Sequence, residues 1–207
     1  PRPIPQTDSL NLPCISFIEF TEFAIVNAML KLDVEKSTGP DGISNIVIKA
    51  CANSISYPLS IIFRKSFEQG CFPKVWKTAN VSPIFLKKGD KSCPQNYRPI
   101  SILCNFSKIF ERIVSDQLQE YLSLNNLLNS NNSGFKKGDS STNQLTFLVN
   151  KIQDGLENKN LNTAMVFLDI KAAFDRVWHQ GLLYKLSCLG VKGPLLNWLS
   201  NYLTNRN

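Results

Sequence analysis

Asp169 closes an apolar run, Val166-Phe167-Leu168, and an aromatic ring, Phe174, follows five residues later. A carboxylate delivered to the end of an apolar strand is a hard oxygen donor, suited to a divalent cation such as Mg²⁺ that in turn carries phosphate groups. The same placement also suits a helix N-cap, which needs only a short acceptor side chain. Phe174 reads by composition alone as a core ring. Further back, Lys87, Lys88 and Arg98 stand close together in sequence. Two ammonium point charges and one guanidinium fork match the oxygens of a polyphosphate, although a Lys-Lys pair is also what a solvated loop displays. Between these groups lies Gly134-Phe135-Lys136-Lys137-Gly138, a short basic segment whose two glycines leave its backbone open to close approach. Ser140, Ser141 and Thr142 can either donate to phosphate or cap the helix that follows. Tyr97 can either stack on a base or pack beneath its neighbours.

These groups need elements to hold them. Apolar residues recur at helical spacing from Ser16 to Leu32, which predicts an amphipathic helix. Gly39-Pro40-Asp41-Gly42 has the composition of a turn. Ile43 to Gly70 reads as two helices parted near Tyr57-Pro58, the second closed by Gly70. Val81–Leu86 reads as a strand with Ile100–Leu103 as its hairpin partner, joined by an exposed, basic connection. Phe106–Leu124 and Thr142–Leu156 read as helices around an asparagine-rich loop, and Ala164–Ile170 as a central strand. Helices fill most of Leu182–Leu203, interrupted near Gly190-Gly193-Pro194. The implied fold class is α+β.

The bulk properties narrow the partners. A chain of 207 residues with 43% hydrophobic content can bury one good core. Its formal charge of +7 favours a polyanionic partner, because Lys and Arg displace counterions from phosphates. The six cysteines form no C-x-x-C pair, and the single His179 completes no zinc set, so the thiols read as those of a reduced, intracellular protein. No apolar run approaches the ~18 residues of a membrane span, and no secretory signal is visible.

Several separate stretches then fall in a recognisable order. They are Ser37-Thr38-Gly39-Pro40-Asp41-Gly42-Ile43, Val81-Ser82-Pro83-Ile84-Phe85-Leu86-Lys87-Lys88-Gly89-Asp90, Asn96-Tyr97-Arg98-Pro99-Ile100-Ser101, Ser107-Lys108-Ile109-Phe110-Glu111-Arg112, the Gly134–Gly138 segment, Phe167-Leu168-Asp169-Ile170 through Phe174-Asp175, and Gly181-Leu182-Leu183-Tyr184-Lys185-Leu186. Together they resemble the landmarks of reverse transcriptases of non-LTR (LINE-type) retrotransposons, nearest in character to the jockey-like group. The resemblance runs from about Ser37 to Asn207.

The resemblance implies an incomplete right-hand polymerase. Residues 1–36 would form an N-terminal extension, 37–160 the fingers with adjoining helices, and 161–207 the start of the palm with the first catalytic motif. It implies RNA-directed DNA synthesis with two Mg²⁺ ions, an RNA template, a DNA primer and dNTPs as partners. Asp169 and the carbonyl of Ile170 would serve the metal. Phe174 would exclude the 2′-hydroxyl, and Lys88 and Arg98, or Lys87 if the register slips by one, would bind the dNTP. Gly134, Lys136, Lys137 and Ser141 would face nucleic acid, though Asp139 stands where many relatives are basic or neutral. Asp175 is expected in a local bond, such as an ion pair with Arg176. Trp178 and His179 are expected to be structural. No Asp-Asp pair occurs in the chain, so the Tyr-x-Asp-Asp element of the family is missing and DNA synthesis by these residues alone is not expected. The chain reads as a piece of a larger polyprotein that also holds the rest of the palm, a thumb and an endonuclease. Its parent is expected in the cytoplasm and, at integration, in the nucleus.

Overall fold

The computed structural model describes residues 13–136, 138–157, 163–170 and 172–204. It forms two compact units, one of residues 1–121 with 178–207 and one of residues 122–177.

The first unit is organised by aromatic rings. Helices α1 (Glu22–Leu30), α2 (Asn45–Ala50), α3 (Ala52–Glu68), α4 (Asn105–Leu124), α6 (His179–Cys188) and α7 (Gly193–Leu203) surround them. Phe110 of α4 stacks on Phe63 of α3 with centroids 4.3 Å apart, and its other sides meet Phe20, Phe72, Trp76 and Trp198. Rings of this size bury large apolar areas, and each edge or stacked pair adds about 0.5–1.5 kcal/mol beyond the area term. The core therefore joins residues from both ends of the sequence.

The N-terminal stretch differs from its helical expectation. Thr21 accepts the Ala24 N–H at 3.1 Å and starts α1 there, so the helix buries Ile25, Ala28 and Met29 but does not extend back to Ser16. Residues 15–20 are extended instead, with Ile18 and Phe20 inward and Phe17 and Glu19 outward. Their backbone is satisfied elsewhere. Ile15 donates to Gly190 and Lys192 donates back to Ile15, while Glu19 exchanges two bonds with the Gln117 side chain. Helical spacing is matched only by mixing this period-two stretch with the true helix.

The expected helix break at Pro58 is also corrected. The chain breaks at Cys51, and Pro58 lies inside α3. Proline removes one helical hydrogen bond. Here the helix continues because Ser56, Leu59, Ser60 and Phe63 on either side are all buried against the core. Gly70 does end the element as expected. With φ of +61° it lets Gly70 donate to Phe67 and Cys71 to Ser66, the paired bonds of a Schellman motif.

β1 (Ala79–Phe85) and β2 (Tyr97–Leu103) form an antiparallel hairpin, registered from Ala79↔Leu103 to Phe85↔Tyr97. This is the expected strand pair, slightly longer. Pro83 sits opposite Pro99. Leu86 donates to Asn96, which places ladder bonds at alternate pairs and turns both proline nitrogens toward the open edges, where no N–H is needed. The Gly39–Gly42 turn closes with a Gly42 N–H bond to Gly39. A Cβ on Gly39 would lie 2.5 Å from the Cys104 backbone, so only glycine lets this turn press against the junction of β2 and α4.

The second unit holds an irregular loop, α5 (Ser141–Glu157), the stretch 163–170 and a turn over 172–176. Ser140 caps α5 by accepting the Asn143 N–H at 3.1 Å, which favours the capping role for this serine. The central strand expected over Ala164–Ile170 is not formed. The stretch is irregular and exposed, with Leu168 91% accessible. An apolar run becomes a strand only when another strand pairs with it, and the described residues hold one sheet of two strands, β1 and β2. The observed class is mixed helix with a small sheet.

Candidate nucleotide and nucleic-acid sites

The hairpin brings Lys87, Lys88 and Arg98 onto one element. Arg98 lies in β2 opposite Ile84, and Lys87 and Lys88 follow Leu86, one residue past the end of β1. All three are exposed, and none makes an ion pair among the described residues. The connecting loop is held by Asp90. Its carboxylate accepts the Ser92 N–H at 3.0 Å and the Ser92 hydroxyl at 2.6 Å, while its carbonyl accepts the Asn96 side chain at 2.7 Å. The Ser92 hydroxyl, followed by the Ser92 N–H, holds the Asp90 carboxyl below its ordinary value. Lys87 and Gly89 both take positive φ, and a Cβ on Gly89 would strike the Asn96 amide. The loop therefore shows its cations on a defined frame. The Asp-x-Ser spacing that builds it is visible in the sequence as an Asx-turn signal.

Tyr97 is committed to packing. Its ring meets Phe85 at 5.3 Å, and its hydroxyl donates to the Lys91 carbonyl at 2.9 Å. Lys91 in turn lies 5.8 Å over the Phe85 ring.

In the second unit, Gly134 and Lys136 are exposed, and Lys137 lies outside the described residues. Gly138 has φ of +83°, and a side chain there would meet no atom within 4 Å. Ser141 is the exposed first residue of α5. Asp139 serves the local turn. The Ser140 N–H, then the Ser133 side chain, hold its carboxyl below the ordinary value.

Asp169 and Ile170 lie in the exposed stretch 163–170. After them, Arg176 donates to Ala172 and Val177 to Phe174, forming a tight turn. Phe174 is 78% accessible, which excludes the core-ring reading, and its ring meets Phe135 at 6.1 Å with the planes at 87°. The sequence does not single out Phe135 as a neighbour of Phe174. No ion pair joins Asp175 to Arg176 among the described residues. Trp178 packs over Gly181, where a Cβ would overlap its ring, and His179 is the exposed first residue of α6.

The metal expectation meets a limit here. Among the described residues no three His, Cys, Asp or Glu side chains converge on one point. Asp169 offers hard oxygen of the right type, but alone it fills one corner of a six-coordinate Mg²⁺ shell. These residues do not fit a complete two-metal site. Among the described residues no helix is long and apolar enough to cross a membrane.

Comparison with known proteins gives the family. A family model described as reverse transcriptase (RNA-dependent DNA polymerase) matches residues 86–207. The chain is 34% identical over 182 residues to the probable RNA-directed DNA polymerase from transposon BS of Drosophila melanogaster, covering 88% of this chain and 20% of that protein. It is 34% identical over 161 residues to the RNA-directed DNA polymerase from mobile element jockey of the same species, covering 78% and 18%. The probable RNA-directed DNA polymerase from transposon X-element of that species is 29% identical over 187 residues, covering 90% and 20%. The chain spans about a fifth of the length of these relatives. With more than half of its residues matched by the family model and mobile-element polymerases aligned over most of its length, the chain belongs to the reverse transcriptase family of non-LTR mobile elements.

Proposed function

We propose that these residues supply the fingers (37–160) and the first part of the palm (161–207) of an RNA-directed DNA polymerase, behind an N-terminal extension (1–36). The observation that carries this reading is the β1–β2 hairpin. It presents Lys87, Lys88 and Arg98 exposed beside an ordered loop, without an ion pair among the described residues. A triphosphate needs both point charges and a planar fork, and Lys88 with Arg98 offers that pair. Lys87 is the alternative should the register differ by one.

Phe174, exposed and set against Phe135, would lie under the sugar of the incoming nucleotide and leave no room for a 2′-hydroxyl. Gly134, Lys136, Lys137 and Ser141 would line the template side. Asp169 and the Ile170 carbonyl would contribute to the metal site. Mg²⁺ held there would supply Lewis-acid chemistry for phosphoryl transfer, with Asp169 as one of its oxygen donors. The remaining carboxylates would have to come from a Tyr-x-Asp-Asp segment, which none of the 207 residues supplies. The partners are then an RNA template, a DNA primer, dNTPs and the other parts of a polyprotein: palm, thumb and endonuclease. Its places of work would be the cytoplasm and, for integration, the nucleus.

A second reading, a nucleic-acid-binding relic without catalysis, is favoured by the exposed, irregular stretch around Asp169. The two separate in a polypeptide that carries these residues together with a Tyr-x-Asp-Asp segment. Polymerase function predicts Mg²⁺-dependent extension of a primed RNA that Asp169→Asn abolishes. Extension by the Asp169→Asn variant at the unmodified rate contradicts the catalytic role, and no extension by either protein supports the relic.

A further inference from the structure

A groove of about 780 Å³ lies in the first unit between the end of α3, the 3-10 turn at Lys74–Trp76 and α7. Three lysines line it, Lys65, Lys74 and Lys77, with Gln69, Thr78 and Asn201 as neutral polar groups, and no carboxylate is among the lining residues. Lys77 is held in place by donating to the Asn201 carbonyl at 2.6 Å and to the Thr204 carbonyl at 2.9 Å. Lys65 and Lys74 are exposed and make no ion pair among the described residues. Elsewhere Lys36, Arg112 and Lys151 each lie within 4 Å of an acid. A groove lined by cations and no carboxylate is costly through self-repulsion and is relieved by a polyanion.

The location adds direction. Thr78 precedes β1, whose other end leads into Lys87 and Lys88. Seven residues of strand at roughly 3.3 Å each separate the two cationic sites by about 23 Å. That distance is too long for one nucleotide and short enough for one continuous strand.

We propose that this groove is a second nucleic-acid site, gripping the phosphodiester backbone of single-stranded RNA. It rests on the nucleic-acid reading of the hairpin, but it uses different residues and can fail separately. Its lysines address phosphates, which carry no sequence information, so the grip they supply is independent of sequence.

The exposed cysteines provide the test. Cys71 lines the groove, Cys93 lies in the hairpin loop, and Cys51 lies at the junction of α2 and α3, away from both sets of lining residues. Their alkylation rates by iodoacetamide are read separately by mass spectrometry in the 207-residue chain, with and without a single-stranded RNA. The proposal predicts several-fold slower alkylation of Cys71 with RNA, an unchanged rate at Cys51, and loss of Cys71 protection in Lys65→Gln/Lys74→Gln. Those two positions are exposed, so the variant keeps its core. The same variant should lower the slope of log K against log salt by about 0.7 for each phosphate that it no longer neutralises.

Protection of Cys93 without Cys71 overturns the groove and leaves the hairpin reading intact. Protection of Cys71 without Cys93 supports the groove and counts against the hairpin. Protection of neither overturns both. Protection of Cys71 by inorganic phosphate alone, equal to that by RNA, overturns the strand-binding role in favour of a small-anion site.

Discussion

The ring of Phe135 meets the ring of Phe174 edge to face, 6.1 Å between centroids. One residue belongs to the Gly134–Gly138 segment and the other follows the Asp169 motif, so the segment proposed for the template side and the ring proposed for the sugar touch each other directly. Phe135 holds this place with φ of +60°, a conformation that costs a non-glycine residue energy.

Sugar discrimination should follow from this pairing of rings. In a polymerase that carries these residues with the missing carboxylate motif, Phe174→Val should raise incorporation of ribonucleotides relative to deoxynucleotides. Opening a pocket by a group of this size is worth on the order of tenfold to a hundredfold. Competition between rATP and dATP on a primed RNA reads the ratio, and an unchanged ratio removes Phe174 from the sugar site. Phe135→Ala should shift the ratio in the same direction by a smaller factor.

The aromatic core predicts that Phe110→Ala costs about 3–5 kcal/mol, as for other large buried rings. Urea unfolding followed by tryptophan fluorescence measures it. By the same logic, residues 86–207 alone should not fold cooperatively, because Phe20, Phe63 and Phe67 all lie outside that span and pack on Phe110 or Trp198. A cooperative transition in that truncated chain would contradict this role for the aromatic core.

Gly39 faces backbone rather than a flexible side chain, so Gly39→Ala has no easy relief. It should destabilise by about 1–3 kcal/mol, the usual range for overpacking. Gly42→Ala in the same turn meets open space and should cost only the strain of φ near +67°. Thermal melts of both variants give the order.

The hairpin loop should respond to acid. Asp90 is bonded to Ser92 in the folded chain, so its carboxyl titrates below the ordinary 3.8. A group depressed in this way contributes stability above its unfolded pKa, and the contribution is lost as pH falls through the folded value. Loop order should therefore be full at neutral pH and decline below about pH 4. Ser92→Ala should move the Asp90 titration back up, which NMR of the side-chain carboxyl detects.

The sequence is most informative where the signals are local. Gly70 as a helix stop, the Gly39–Gly42 turn, the β1–β2 pairing and the helix over Ser141–Glu157 each depend on neighbouring residues, and each is legible. The extended stretch over residues 15–20 is not, because its bonds go to Gly190, Lys192 and Gln117, far away in sequence. Pro58 misleads because burial on both sides outweighs one missing hydrogen bond. The apolar run before Asp169 reads as a strand, but strand formation depends on a partner that periodicity does not reveal. For the sites, residue types and order point to Lys87, Lys88, Arg98, Asp169 and Phe174, while the meeting of Phe135 with Phe174 is visible only in the folded chain.

The central claim, that the hairpin cations grip phosphate, is tested most directly by titrating the chain with a primed RNA across a range of salt concentrations. The expected result is a steep fall of log K with log salt, and a slope shallower by about 1.4 in Lys88→Gln/Arg98→Gln, at about 0.7 for each phosphate left unneutralised. An identical slope in the variant and the unmodified chain would contradict it.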